Sequence, residues 1–225
     1  GKGPRLTQTP VDGSRDGMEF AGHATLSKDG SAKLHLEERF LGRQAVAARN
    51  DLAQLPERRL PDVLQALVAR DLRGARLDDF SIEHLDDLDL PLTLRLEVVV
   101  PALAELTGGE LVIQPPFVAE LSSLAALPSR QTPLLLAAAT YRRVSLEVEL
   151  PPEAQLKTPL APRTVTDGDR KVSVADHLTG SVLHLERTID LPAGRVQPDE
   201  YGAFVAFARG ADAAQGAPIR VKLAR

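Results

Sequence analysis

MEFAGHATLSKDGSAKLHLEERF, residues 18–40, alternates twice around a single turn. Phe20, Gly22, Ala24 and Leu26 share one face of the first run. Leu34, Leu36 and Phe40 share one face of the second, opposite Lys33, His35, Glu37 and Arg39. A period of two puts successive side chains on opposite faces of a strand. Between the runs, Ser27-Lys28-Asp29-Gly30 is turn chemistry, and Gly30 is free to take a positive φ. The stretch reads as a β-hairpin with one apolar and one polar face.

Downstream of the hairpin the period changes. Leu60, Val63, Leu64, Leu67, Val68 and Leu72 recur at helical spacing. Pro61 suits the first turn of that helix and Gly74 its end. Residues Gln44 to Leu55 fit either a short helix or a third strand. Alternation then returns in Leu88, Leu90, Leu92, Leu94, Leu96 and Val98, with Pro91 placing the start at an edge or bulge. Further strands are expected over Glu110–Phe117, Tyr141–Leu150, Thr164–Thr166, Lys171–Ala175, Gly180–Leu191 and Ile219–Leu223. Gly108-Gly109 reads as a hairpin turn, and Leu134–Ala139 as a short buried segment. Pro198-Asp199-Glu200 opens a short helix bearing Tyr201, Phe204, Val205 and Ala208, closed by Gly210. The expected fold is mainly β: sandwich-like antiparallel sheets with one mid-chain helix and a short helix near the C-terminus. Residues 1–17 read as a linker, 18–128 as a β-rich lobe with a helical insert and 129–225 as a second sandwich-like lobe. One large sandwich over 18–225 fits the length equally well.

At 225 residues and 43% hydrophobic content the chain can bury a sizeable core. It has no Cys, which removes thiolate nucleophiles, thiolate metal sites and disulfides together. A net charge of −4 argues against an electrostatic nucleic-acid partner. No apolar run approaches the ~20 residues of a membrane helix. The start, Gly1-Lys2-Gly3-Pro4, lacks the apolar core of a signal peptide, and the chain reads as a piece of something longer.

Candidate chemistry is sparse. Asp78, Asp79, Glu83, Asp86, Asp87 and Asp89, with His84 among them, form the densest carboxylate stretch. Phe80, Ile82, Leu85 and Leu88 interrupt it and no Gly supplies a tight turn, so it reads as strand, acidic turn and strand rather than a calcium loop. His23, His35, His84, His177 and His184 contain no i, i+4 pair, and His35 and His184 fall where they would line an outer sheet face. Ser14, Ser31, Ser181 and Ser122-Ser123 lie in no nucleophile elbow. Glu147 and Glu149 share a face by alternation, which a solvated sheet explains. Arg58-Arg59 and Arg142-Arg143 are isolated pairs, and Tyr141 and Tyr201 read as core or corner residues. The expectation is no catalytic, cofactor-binding or metal-binding residue, and no cofactor.

Several stretches together resemble the C-terminal region of a bacterial transglutaminase-like family. They are Lys28-Asp29-Gly30-Ser31-Ala32, the helix around Leu60–Leu72, Ser129-Arg130-Gln131-Thr132-Pro133-Leu134, and the Tyr141–Pro151 strand. The most specific is the tail from Glu186-Arg187 to Leu223, with Pro198-Asp199-Glu200-Tyr201-Gly202-Ala203-Phe204 and Ile219-Arg220-Val221-Lys222-Leu223. In that family a β-rich domain of unknown function precedes a papain-like transglutaminase core, and a further β-rich region follows. The resemblance implies that the catalytic Cys–His–Asp set lies upstream of this region. The chain would then be a non-catalytic accessory module of a larger periplasmic or extracellular protein. It would pack on the transglutaminase-like domain of the same polypeptide, or position substrate for it. The alternative is an independent extracytoplasmic module that binds protein or glycan.

Overall fold

The computed structural model describes residues 15–224. Most of the expected linker, residues 1–14, therefore lies outside the described residues, and Gly17 is the first residue of β1 (Gly17–Leu26). β1 and β2 (Ala32–Leu41) pair antiparallel from Gly17↔Leu41 to Leu26↔Ala32, so the hairpin forms as its alternation requires. Gly30 takes φ 90°, and the Asp29 carboxylate accepts from the Ser31 amide at 2.9 Å to close the turn.

Two helices follow. The ambiguous segment is helical, α1 (Arg43–Ala53), and the periodic segment is α2 (Leu60–Asp71) with Pro61 in its first turn. α2 buries Leu64, Val68 and the following Leu72. Its Gln65 amide docks the next strand, donating to Ala75 O and accepting from Leu77 N, both at 2.8 Å.

The remaining strands are β3 (Arg76–Glu83), β4 (Leu92–Val100), β5 (Ala104–Thr107), β6 (Glu110–Ile113), β7 (Leu134–Leu136), β8 (Thr140–Glu149), β9 (Gln155–Leu156), β10 (Arg163–Asp167), β11 (Arg170–Val174), β12 (His177–Thr179), β13 (Val182–Leu191), β14 (Gly194–Val196) and β15 (Ile219–Lys222), with α3 (Tyr201–Gln215) before the last. Nine strands make one sheet in the order β10-β11-β13-β8-β1-β2-β4-β3, with β12 added on β13. β5-β6-β15-β9 form a second sheet and β14-β7 a small third. The fold is mainly β. Among the described residues, one pairing is parallel: β1 runs beside β8 from Gly17↔Tyr141 to Thr25↔Glu149.

Several boundaries differ from the expectation: β6 ends at Ile113 rather than Phe117, ahead of Pro115 and Pro116, which have no amide to donate. Leu88 and Leu90 alternate with β4 but precede it; Pro91 has no amide to donate, and both leucines are exposed in a loop. The C-terminal helix runs through Gly210 to Gln215, because a Cβ at Gly210 would only touch Val165 Cγ1 at 3.5 Å and nothing there forces a stop. It begins at Tyr201, with Pro198 in the turn before it. Of the segment expected to be buried, Leu136 is inside and Leu135 points out, as strand alternation on β7 dictates.

Phe20, Leu34, Leu36, Leu96, Val98, Val144, Leu146, Leu183 and Leu185 line one face of the large sheet. They share a core with α2 and with Leu111, Ile113, Ile219 and Val221 of the second sheet. A second cluster gathers Val172, Ile189 and Leu191 under α3. On strands β2, β8 and β13, three charged residues occupy inner-face positions. Arg187 of β13 holds Asp176 at 2.7 Å, both buried; burial draws the Arg187 guanidinium below and the Asp176 carboxyl above their ordinary values. Arg142 of β8 sits 4.8 Å over the Phe20 ring and donates to Phe117 O at 3.1 Å.

Glu38 of β2 is the third, 1% exposed, and among the described residues its Oε2 has no hydrogen-bond partner. Burial, reinforced by the nearby Asp71 carboxylate at the end of α2, pushes its carboxyl from 4.5 up to about 7, against the pull of Arg70 and Arg142. The folded state therefore holds this proton more tightly than the unfolded chain. Its contribution is complete below about pH 4.5 and is lost as pH rises through about 7, a difference of roughly 3 kcal/mol. Denaturant melts should show stability falling over that window, and Glu38→Gln should flatten the profile and raise stability at pH 8. An unchanged profile in the variant would mean Glu38 does not hold the proton.

Candidate functional site

The groove that the fold builds lies at one end of the large sheet, between α1 and the loop joining β3 to β4. Its wall begins with Asp16, just ahead of β1. The Asp16 carboxylate accepts from the Arg43 amide at 2.7 Å and from Arg43 Nε at 2.6 Å, satisfying an amide at the start of α1. The Arg43 backbone bond holds the Asp16 carboxyl below its ordinary value, with the Arg43 side chain adding to it. Gly42, at φ 55°, lets the chain turn from β2 into α1 against this aspartate.

The opposite wall is the loop of residues 84–91. Arg49 of α1 is buried and spends its guanidinium on the loop's backbone. Nε and Nη2 donate to His84 O at 3.2 and 2.9 Å, and Nη2 also donates to Asp87 O at 2.6 Å and Leu90 O at 2.7 Å. Asp87 adds an Asx turn, accepting from the Asp89 amide at 3.0 Å. These bonds shape the loop from within and leave its side chains facing out. The groove encloses about 600 Å³, lined by Phe40, Ala45, Val46, Leu88, Leu90 and Pro91 with Arg15, Asp16, Arg43, Arg49 and Asp89. Val46 is 55% exposed, Leu88 77% and Leu90 45%. Three large apolar side chains are thus left in water beside one cleft.

The acidic stretch divides between two elements. Asp78, Asp79 and Glu83 are on edge strand β3, where Arg95 pairs Glu83 at 2.9 Å and draws its carboxyl down. Asp86, Asp87 and Asp89 are on the groove loop with His84 at its start, at φ 61°. The other four histidines, two from β1 and β2 and two from β12 and β13, meet in one transverse row on the solvent face of the large sheet. The register runs His177↔His184↔Glu147↔His23↔His35↔Glu97. The His177 and His184 rings stack at 4.5 Å, and His35 Nδ1 lies 2.6 Å from Glu97. His23 and His184 flank Glu147 at 3.6 and 3.8 Å, and His23 also reaches Glu149 at 3.9 Å. His35 and His184 thus line an outer face, and Glu147 and Glu149 share it. Among the described residues no three His, Asp or Glu side chains stand at metal-binding separation.

The remaining candidates are structural. Ser123 Oγ donates to Glu120 O at 2.6 Å, and the Leu121 and Ser122 amides both donate to Asp212 of α3, at 2.7 and 2.9 Å. Tyr201 is buried and donates its hydroxyl to Leu127 O at 2.9 Å, and Tyr141 is buried under the Arg15 guanidinium. Arg142 turns inward while Arg143 is exposed, as adjacent strand residues must. Gly108 and Gly109 take φ 61° and 82° in the β5–β6 hairpin.

Sequence reasoning overlooked Arg49 and Glu38. Glu38 was legible, since it breaks the apolar parity of Leu34, Leu36 and Phe40. Arg49 gave no such signal, because its partners are backbone carbonyls some 35 to 41 residues away.

A family model described as a domain of unknown function with a solved structure, DUF3858, matches residues 109–221. No curated protein matches the sequence. One solved structure, from Parabacteroides distasonis ATCC 8503 and described as a "putative protease", aligns over 52% of this chain and 24% of its own, with a TM-score of 0.45 and 19% identity. The chain thus spans about a quarter of that protein's length.

Because Arg49 is spent on carbonyls in a fork that an ammonium cannot reproduce, Arg49→Lys should loosen the loop. Amide exchange of residues 84–90 should quicken at least about tenfold, with a stability loss of roughly 1–3 kcal/mol. Unaltered exchange would show that the loop holds its shape without the guanidinium.

Proposed function

This chain belongs to the DUF3858 family, and we propose that it is a non-catalytic accessory module of a larger transglutaminase- or protease-like protein, packing on the catalytic core. The observation that carries the reading is the groove: Val46, Leu88 and Leu90 stand exposed around a cleft whose loop is already fixed by Arg49. A preshaped apolar cleft loses little conformational entropy on docking, so the apolar area it buries counts toward affinity. The ordered resemblance of the chain to the region downstream of a transglutaminase-like core supports the same assignment and suggests a periplasmic or extracellular setting. No described helix is long and apolar enough to cross a membrane.

A glycan-binding module of stacking type would present aromatic faces to solvent; here both tyrosines are buried. The partner that fits the groove is protein.

The test is made in the complete polypeptide. Leu88→Asp with Leu90→Asp puts two charges on a surface that the reading buries against the catalytic core. Turnover should fall at least about fivefold, while the melting temperature of the chain alone moves by less than about 2 °C, since neither leucine is in the core. Full turnover in the double variant, or turnover by the chain without its neighbours, would overturn the assignment.

A further inference from the structure

We propose that the groove receives a cationic segment with apolar side chains, donated by the neighbouring domain of the same polypeptide; this rests on the accessory reading and names the chemistry of the partner. The loop presents Asp86, Asp87 and Asp89 interleaved with Leu88 and Leu90, and all five are exposed. Among the described residues none of these three carboxylates enters an ion pair. Arg43 and Arg49 of the groove are already engaged by oxygen atoms of the chain. Arg43 is held by Asp16, Arg49 by three loop carbonyls, and Arg15 lies 4.5 Å over the Tyr141 ring. The groove therefore offers a partner an apolar floor with Asp89 in its lining and Asp86 and Asp87 on the same loop.

Three carboxylates within four residues repel one another, and a lysine or arginine beside them relieves that repulsion. Leucine-like side chains between Val46 and Leu88 would cover both while the same segment turns its cations to the rim. Exposed single pairs contribute little affinity, so the apolar anchors supply binding and the charges supply selection and orientation.

The chain, 15N-labelled, is titrated with two synthetic amphipathic peptides of identical leucine pattern, one with lysine and one with glutamate at the polar positions. The lysine peptide should shift the amides of Val46, Leu88 and Leu90 saturably and the glutamate peptide should not. Asp86→Asn, Asp87→Asn and Asp89→Asn together should weaken the lysine peptide at least about tenfold at low salt, with melting temperature retained because Asn keeps the Asx turn. Equal binding of both peptides, shifts centred elsewhere, or unchanged affinity in the Asn variant would each overturn the proposal.

Two other occupants have their own signatures, and each would also overturn it. If deleting residues 1–14 raises the lysine peptide's affinity about tenfold, the chain's own segment with Lys2, Arg5 and Leu6 fills the groove. If the chain dimerises and Leu88→Asp abolishes the dimer, a second copy fills it. Lost turnover in the leucine variants, together with an inert Asn triple variant, would retain the accessory reading and remove the cationic partner. Normal turnover in the leucine variants, with selective lysine-peptide binding, would do the reverse.

Discussion

β1 is hydrogen-bonded along its length on both edges, antiparallel to β2 and parallel to β8, and the rest of the molecule is positioned from that doubly paired strand. The constraint is steric as well as polar. A Cβ at Gly17 would collide with the Tyr141 carbonyl, and one at Gly22 would stand 2.5 Å from the His35 carbonyl oxygen. With both edges occupied, β1 cannot slip by a residue without turning Phe20, Ala24 and Leu26 to water. Its register also sets Phe20 against Phe117, at 4.6 Å between ring centroids. Asp16, one residue ahead, is thereby placed to receive the first amide of α1, so the groove wall inherits its position from the central strand.

The charges buried in this structure show two opposite solutions to the same cost. Arg49 is desolvated but engaged through Nε and Nη2, exchanging water for the carbonyl oxygens of an irregular loop. Glu38 is desolvated and left with a bare oxygen, and it meets the cost by holding its proton. The Asp176–Arg187 pair lies between these extremes: one bond of 2.7 Å is made, while Nε and Nη1 of the arginine have no partner. Arg187 stands between Leu185 of the main core and Ile189 of the cluster under α3, so the polar interruption falls at the seam of the two apolar cores.

The region matched by the family model and the groove come from different parts of the chain. Residues 109–221 contribute β6 through β14 and α3, and nearly all of β15; α1 and the loop of residues 84–91 precede that range. The parallel β1–β8 pairing is where the two parts meet in one sheet. The outer face of that sheet spans both as well. Its transverse row draws His23, His35 and Glu97 from one part and Glu147, His177 and His184 from the other.

What the sequence by itself determined is local. Alternation over 18–40, 92–98 and 141–150 produced strands because a period of two has one outcome on a pleated backbone, and Gly30, Gly108 and Gly109 marked turns because only glycine enters positive φ without penalty. The buried charges Glu38, Arg142 and Arg187 were written there too, as positions where a charged residue sits on an apolar parity. What only the tertiary structure decided depends on contacts between distant segments. Strand direction was one such matter, since alternation is the same for parallel and antiparallel neighbours; β1 and β8, about 120 residues apart, became the parallel pair. The histidine row was another: His23 with His35 and His177 with His184 are local pairs, but the register of β8 against β1 and β13 joins them through Glu147. The groove was the third. Leu88 and Leu90 continue the alternation of β4 and read as strand, yet the Arg49 guanidinium holds the loop's carbonyls and leaves both side chains exposed. A periodic pattern records which side chains could share a face; it does not record which backbone groups have already been claimed.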